Sequence, residues 1–333
     1  MIVGTPSFRV QIAPVCSGFE GIGLMLVLPG GYLAVQRRRL RLARALPLVP
    51  LGVLIVWLRN ALRITALVTI GAWGRPDIAL SGFHSQAGWL AFNAVALGIV
   101  ALAQNRVFWR DEETRSVVSR QSNAAAPYLA SLLCIVAATM IGAAFSAGGG
   151  LDRAYPLRVL SAGAAFWFYR HNARGVRMSW SWEAVGIGAL VFIIWMALEL
   201  TSTSTSGGSL GEDLARLPSG WATAWVVVRV LGAVVTVPLA EELAFRGFLI
   251  RRLIAADFEN IPAGRFTWVS LLGSSVLFGV LHGRWLAGTL AGLFYALALY
   301  RRGKLTDTIV AHATTNALLA ACVLGAGMWS LWQ

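Results

Sequence analysis

Apolar runs of about 20 residues follow one another along almost the whole chain, separated by short clusters rich in arginine. A run of about 20 apolar residues is what an α-helix needs to cross the ~30 Å hydrocarbon core of a bilayer. Within that core each backbone N–H and C=O must be paired inside its own segment, so such runs must be helices. Only 13% of the residues are charged, about half the usual share of a soluble domain, roughly 25%. The fold class this dictates is all-α, a polytopic membrane protein with about 9–10 transmembrane helices. Spans are predicted near 19–35, 45–74, 87–104, 125–147, 157–169, 182–200, 221–250, 267–283, 285–300 and 305–332.

The net charge of +13 would suit a nucleic-acid binder, but the arginines lie in short clusters between apolar runs. That is the pattern of cytoplasmic membrane loops, so the partner is the membrane and not nucleic acid. Alternate loops at 36–44, 105–124, 170–180, 246–266 and 301–304 hold 5, 4, 3, 4 and 3 Arg or Lys, nineteen of the 28. The opposite set holds six, and Arg59, Arg63 and Arg229 fall inside spans. The positive-inside rule then puts the first set in the cytoplasm, with both termini outside. No stretch reads as a cleavable signal peptide. Cys16, Cys134 and Cys322 lie too far apart for a CxxC motif, and neither a disulfide framework nor a zinc cluster is expected.

The mixed-charge stretch 105–124 reads as a cytoplasmic linker, which divides the chain into membrane segments 1–104 and 125–333. The Thr/Ser/Gly run at 201–211 reads as an external flexible loop.

Near the end of one long apolar run stand Glu241, Glu242 and Arg246, charges that each cost several kcal/mol in lipid unless paired or hydrated. Glu242 and Arg246 are i and i+4 on a helix and can pair. Glu241 points about 100° away and has no local partner. A spare carboxylate in an apolar wall is a candidate proton acceptor. A charged helix end lying in the headgroups accounts for this stretch taken alone equally well.

Two of the four histidines stand in later spans. Phe278-Gly-Val-Leu-His282 places an imidazole near the end of an apolar helix, and His312-Ala-Thr-Thr-Asn316 places an imidazole and a carboxamide on one helical face. Singly, each suits a packed polar residue. Together, Glu241, His282, His312 and Asn316 supply a base, a second water-binding group and two oxyanion donors, the parts that amide hydrolysis requires. Counted from the cytoplasmic helix ends at about 1.5 Å per residue, Glu241 and His312 lie roughly 13 and 10 Å deep, and His282 roughly 22 Å from Thr267 or roughly 16 Å if the hydrocarbon starts at Leu271, which puts the site in the inner to middle membrane.

The motifs Glu-Glu-x-x-x-Arg, Phe-x-x-x-His and His-x-x-x-Asn, in this order on separate helices, resemble those of the CaaX protease and bacteriocin-processing family of intramembrane peptidases, over roughly residues 125–333. The resemblance implies a CaaX-protease-like helical bundle without cofactor or metal. It implies that Glu241 and His282 activate water, that His312 and Asn316 stabilise the oxyanion, and that Glu242 with Arg246 supports the site. A zinc site is the chemical rival, since one Glu and two His can ligate a metal, although no HExxH is present.

The first part of the chain has its own constellation. Cys16 precedes the first span, Arg63 lies near the outer end of the second, and His84 stands in the next external loop. Topology thus brings all three to one face, where a thiol beside an imidazole and a guanidinium can be held as a nucleophilic thiolate. An incidental thiol, a snorkelling arginine and a loop histidine would look the same one by one. The patterns Cys-Ser-Gly before a helix, Asn-x-x-Arg-Ile and His-x-x-x-Gly-Trp resemble the exosortase/archaeosortase family of membrane transpeptidases. That resemblance implies that Cys16 attacks a sorting signal, that His84 transfers protons, and that Arg63 steadies developing charge.

An exosortase-like segment followed by a CaaX-type protease resembles the fused exosortase E/protease proteins. The implied partners are exported proteins with a VPEID-like C-terminal sorting motif, a membrane helix and a basic tail. Exosortases carry several helices before the cysteine, whereas 15 residues precede Cys16, so upstream helices are expected to be missing from this segment. Readings from other classes are a non-catalytic membrane scaffold or chaperone with a peptidase-like fold, and a transporter using its buried charges as a relay.

Overall fold

The computed structural model describes residues 2–11, 19–80, 82–110, 124–144, 151–171, 179, 181–200 and 209–332. Almost everything described is helical. Among the described residues the one sheet is a two-stranded hairpin of β1 (Ile2–Gly4) and β2 (Arg9–Gln11). Among the same residues five helices are long and apolar enough to cross a membrane: Leu42–Ala72, Ala126–Ala144, Trp182–Glu199, Ser219–Arg252 and Leu305–Ala326. Gly21–Val35, Gly88–Ala103 and Trp268–Val280 are shorter apolar helices. The chain is a helical membrane protein, and its side-chain distribution fits lipid as the outer solvent. Trp57, Leu97, Leu160 and Val269 are among the exposed residues, whereas Glu242, Arg246, Ser274, Ser275 and Thr308 are fully buried.

Two compact units divide the chain, Met1–Ser122 with Met140–Gly148, and Asn123–Thr139 with Gly149–Gln333. In the first, α1 (Phe19–Val35), α2 (Leu42–Ala45), α3 (Leu48–Ala72), α4 (Pro76–Leu80) and α5 (Gly82–Ala103) follow the hairpin. Helices α1, α3 and α5 pack on one another around Met25, Leu33, Val56, Phe92 and Ile99. Gly52 allows the closest approach, since a Cβ there would lie 3.1 Å from Met25 Cγ and 3.3 Å from Ile99 Cγ1. Most of the linker expected at 105–124 lies outside the described residues.

The second unit contains α6 (Ala126–Ala144) up to Thr139, α7 (Tyr155–Tyr169), α8 (Trp182–Leu200), α9 (Ser209–Ala215), α10 (Ser219–Arg252), α11 (Trp268–Val280), α12 (Trp285–Arg302) and α13 (Leu305–Ala326). Where a loop is expected through residue 211, Ser209–Ala215 is a short helix. Helix α11 lies against α12, and α8 against both α12 and α13. Without a hydrophobic force between helices in lipid, close approach depends on small residues. Gly288 and Gly292 supply it on α12: a Cβ on Gly292 would lie 3.0 Å from Ser275 Cα, and one on Gly288 would lie 3.0 Å from Gly279 Cα.

Helix α10, 34 residues long, is not a regular α-helix. Gly232–Thr236 and Leu243–Leu249 are π-helical turns on either side of Val237–Glu242. Pro238 explains the first. Its ring would strike the carbonyl of Val234 in an α-helix, and a wider turn relieves that clash. The glutamate pair therefore sits between two backbone irregularities of the kind that concentrate at functional sites.

Candidate active site

Glu242 and Arg246 are both fully buried, and Arg246 Nη1 donates to Glu242 Oε1 at 3.1 Å. The pairing expected from i,i+4 spacing thus survives the π turn that begins between them. Arg246 Nη2 donates to the Gly292 carbonyl at 2.8 Å, and its guanidinium lies 4.4 Å from the centre of the Phe278 ring. The charge count at the sequence level placed Arg246 in a cytoplasmic loop. It belongs to the bundle interior, because its counter-ion and an accepting carbonyl on α12 are both there.

The same Glu242 oxygen receives His312 Nδ1 at 2.9 Å. A carboxylate oxygen that already accepts from arginine can only accept again, so His312 carries its proton on Nδ1 and presents Nε2 outward. Tyr295 stacks on the ring, with centroids 4.7 Å apart and planes 18° from parallel. Thr315, on the same helix as His312, donates to the Gly188 carbonyl of α8 at 2.8 Å. The orientation of His312 is therefore held by α10 and α12.

Glu241 faces His282, with Oε2 3.8 Å from Nε2. That exceeds a hydrogen bond and leaves Glu241 Oε2 buried without a hydrogen-bond partner among the described residues. His282 Nδ1 is 2.8 Å from the Phe278 carbonyl, which can only accept, so Nδ1 carries the proton and Nε2 is a bare acceptor in the neutral ring. His282 stands in the turn after α11 rather than on the helix itself, its N–H bonded back to Gly279.

Asn316, one turn beyond His312 on α13, donates from Nδ2 to the Ala233 carbonyl at 2.7 Å. In the π turn the Val237 N–H bonds to Gly232. The next donor in that register would be residue 238, which is proline and has no N–H. Asn316 thus fills a backbone position that Pro238 leaves open, and its amide keeps a second N–H.

His282, His312 and Asn316 line one cavity of about 220 Å³, with Phe278, Tyr295 and Trp195 in its walls. Three of the four expected residues thus share one cavity, and Glu241 lies beside it against His282. Sequence reasoning missed Tyr295, Thr315 and the Gly292 carbonyl. The spacing Gly288-x-x-x-Gly292, a known signal of close helix approach, would have pointed to the last. Among the described residues no three of His, Cys, Asp and Glu cluster as metal ligands.

In the first unit, Arg63 lies on α3 against Gly88 of α5, where a Cβ would come 3.0 Å from its Nη1. The neighbouring Arg59 Nη1 donates to the Gly88 carbonyl. His84 is one turn before Gly88, in the first turn of α5 and not in a loop as its sequence context suggested. That places its backbone on the same helical face as Gly88. Cys16 lies outside the described residues.

Buried paired charges and oriented imidazoles beside a cavity inside an apolar helical bundle define a helical membrane protein with a polar site in its interior. Residues 223–318 match the family model described as type II CAAX prenyl endopeptidase Rce1-like. Residues 1–102 match that of the transmembrane exosortase EpsH. The matches point to an intramembrane CAAX-type protease in the second part of the chain and an exosortase-like membrane segment in the first. No curated protein and no solved structure matches the chain.

Proposed function

We propose that the second unit is a glutamate-dependent intramembrane endopeptidase. The observation that supports it most directly is the division of labour between adjacent carboxylates. Glu242 holds Arg246 and His312 through Oε1 and leaves only Oε2 without a hydrogen-bond partner among the described residues, whereas Glu241 faces His282, the two presenting acceptor atoms 3.8 Å apart. One water can donate to both at once, which aligns its lone pair toward a carbonyl carbon. Glu241 then takes the proton as oxygen attacks, and passes it to the departing amine. The oxyanion is met by the second N–H of Asn316 and by His312 Nε2, which donates only when its ring is protonated.

The test is cleavage of membrane peptides by purified protein. Glu241→Gln is expected to lower cleavage by a factor on the order of 10²–10⁴ while the melting temperature stays near wild type. Full cleavage by that variant overturns the assignment.

A second reading is favoured by the Glu242–His312 bond. A carboxylate fixing one imidazole nitrogen so that the other can shuttle a proton is the arrangement of a catalytic dyad. In that case Glu242→Gln abolishes catalysis at least as completely as Glu241→Gln, even where the protein remains folded.

For the first unit, we propose an exosortase-type cysteine transpeptidase. Cys16 serves as nucleophile, His84 as proton-transfer group and Arg63 as the cation that steadies the tetrahedral charge. The substrates are exported proteins with a C-terminal sorting motif, membrane helix and basic tail, handled on the periplasmic side of the inner membrane. The match over residues 1–102 supports the family, and Arg63 packed at Gly88, one turn from His84, supports their proximity. A thioester-linked product trapped on the wild type and absent from Cys16→Ala is the expected result; the same adduct on both would refute it.

A further inference from the structure

The catalytic cavity extends along α10 to a residue that the hydrolytic chemistry does not use. Arg229 lines it together with His282, His312 and Asn316. A guanidinium in an apolar helix is costly unless something occupies it, and among the described residues Arg229 forms no ion pair. Its Nη2 donates to the main-chain carbonyl of Trp332 at 2.9 Å. Its plane lies 4.4 Å from the centre of the Tyr155 ring and 5.4 Å from that of Trp332. Its Nε is buried without a hydrogen-bond partner among the described residues. The group it holds is therefore peptide backbone, delivered by the short helix Trp329–Trp332, and Leu331 and Trp332 themselves form part of the cavity wall.

Arg229, Ala233 and Val237 line the cavity; Glu241, at the next position of that spacing, lies beside it against the cavity residue His282. In an unbroken α-helix, residues twelve apart are about 120° out of line. The π turn at Gly232–Thr236 acts as one inserted residue and takes back about 100°. Arg229 and Glu241 thus stand on one stripe, about 17 Å apart along the axis at the helical rise. An extended peptide covers that distance in about five residues.

We propose that Arg229 is the substrate-binding residue that takes a main-chain oxygen of the peptide about five residues from the scissile bond, and that Trp329–Trp332 lies in the groove as a built-in substrate mimic. This rests on the peptidase reading and adds the substrate register and its self-competition. The oxygen comes either from an internal amide or from a terminal carboxylate.

The experiment uses the full chain in detergent with a fluorescent apolar decapeptide, made as free acid and as amide, read by anisotropy and by cleavage. Arg229→Gln is expected to weaken binding and raise KM about tenfold with kcat within twofold. Trp332→Ala, which leaves the membrane helices intact, is expected to tighten binding and lower KM several-fold, and to do so much less in the Arg229→Gln background. A loss confined to the free acid assigns the carboxylate, and an equal loss for both assigns the internal carbonyl. Unchanged binding and KM in both variants overturn the proposal while leaving the peptidase reading intact. Binding that follows this pattern without cleavage by wild type supports the proposal and removes the peptidase reading.

Discussion

Glu242 Oε1 lies 2.9 Å from His312 Nδ1 and 3.1 Å from Arg246 Nη1, so a single carboxylate oxygen ties α10 to α13. The tie is made where both partners are almost fully shielded, the side chains of Glu242 and Arg246 being 0% exposed and that of His312 4%.

Removing one member of such a pair leaves an uncompensated buried charge. Glu242→Gln is expected to destabilise the protein by about 3–5 kcal/mol, because Arg246 keeps its charge and loses its counter-ion. Arg246→Met should cost a similar amount. The double variant Glu242→Gln/Arg246→Met should cost clearly less than the sum, since neither charge is then stranded. Thermal melting of the four proteins in one detergent measures this, and strict additivity would contradict the pairing.

Asn316 has two tasks, and substitutions separate them. Asn316→Ala strands the Ala233 carbonyl at about 1–3 kcal/mol, and removes an oxyanion donor worth on the order of 10²–10³ in kcat. Asn316→Asp retains the shape, but an ionised carboxylate cannot donate to Ala233 and repels an oxyanion. It should be as inactive as the alanine variant, with KM near wild type in both. An Asp variant that cleaves normally would show that the amide acts only as packing.

Tyr295 holds His312 by the face of its ring. Tyr295→Phe keeps the stacked ring, so cleavage should stay within a few-fold of wild type. Tyr295→Leu leaves the imidazole unclamped, and kcat should fall at least tenfold while KM holds. Equal kcat for the two variants would mean that the ring contributes volume and nothing more.

The parts of this site that were legible in advance are those set by short-range periodicity. Glu242 and Arg246 pair because four residues return a helix to the same face, and His312 and Asn316 share a face for the same reason. The bond from Glu242 to His312 spans 70 positions and depends on which helices touch, which no local pattern specifies. The π turns were hidden because Pro238 in a 34-residue apolar run signals an irregularity without fixing its form. Tyr295 and Thr315 were invisible for another reason: in an apolar helix a tyrosine or threonine reads as ordinary packing until its neighbours are known. Arg246 was miscounted as a loop charge because composition cannot distinguish an arginine in the headgroups from one neutralised inside a bundle.

The charge bias of the loops has a consequence that can be checked without any substrate. If the arginine-rich loops face the cytoplasm, Cys16 precedes the first span on the opposite side. Cys134 and Cys322 stand within α6 and α13, where lipid shields them from a charged reagent. An impermeant maleimide added to intact cells should therefore label the protein at one thiol, and Cys16→Ala should abolish that labelling. Adding the outward-facing reagent after a permeant thiol blocker should give no signal. Labelling that appears only after the membrane is opened would reverse the orientation, and would move the proposed transpeptidase chemistry away from the periplasmic face.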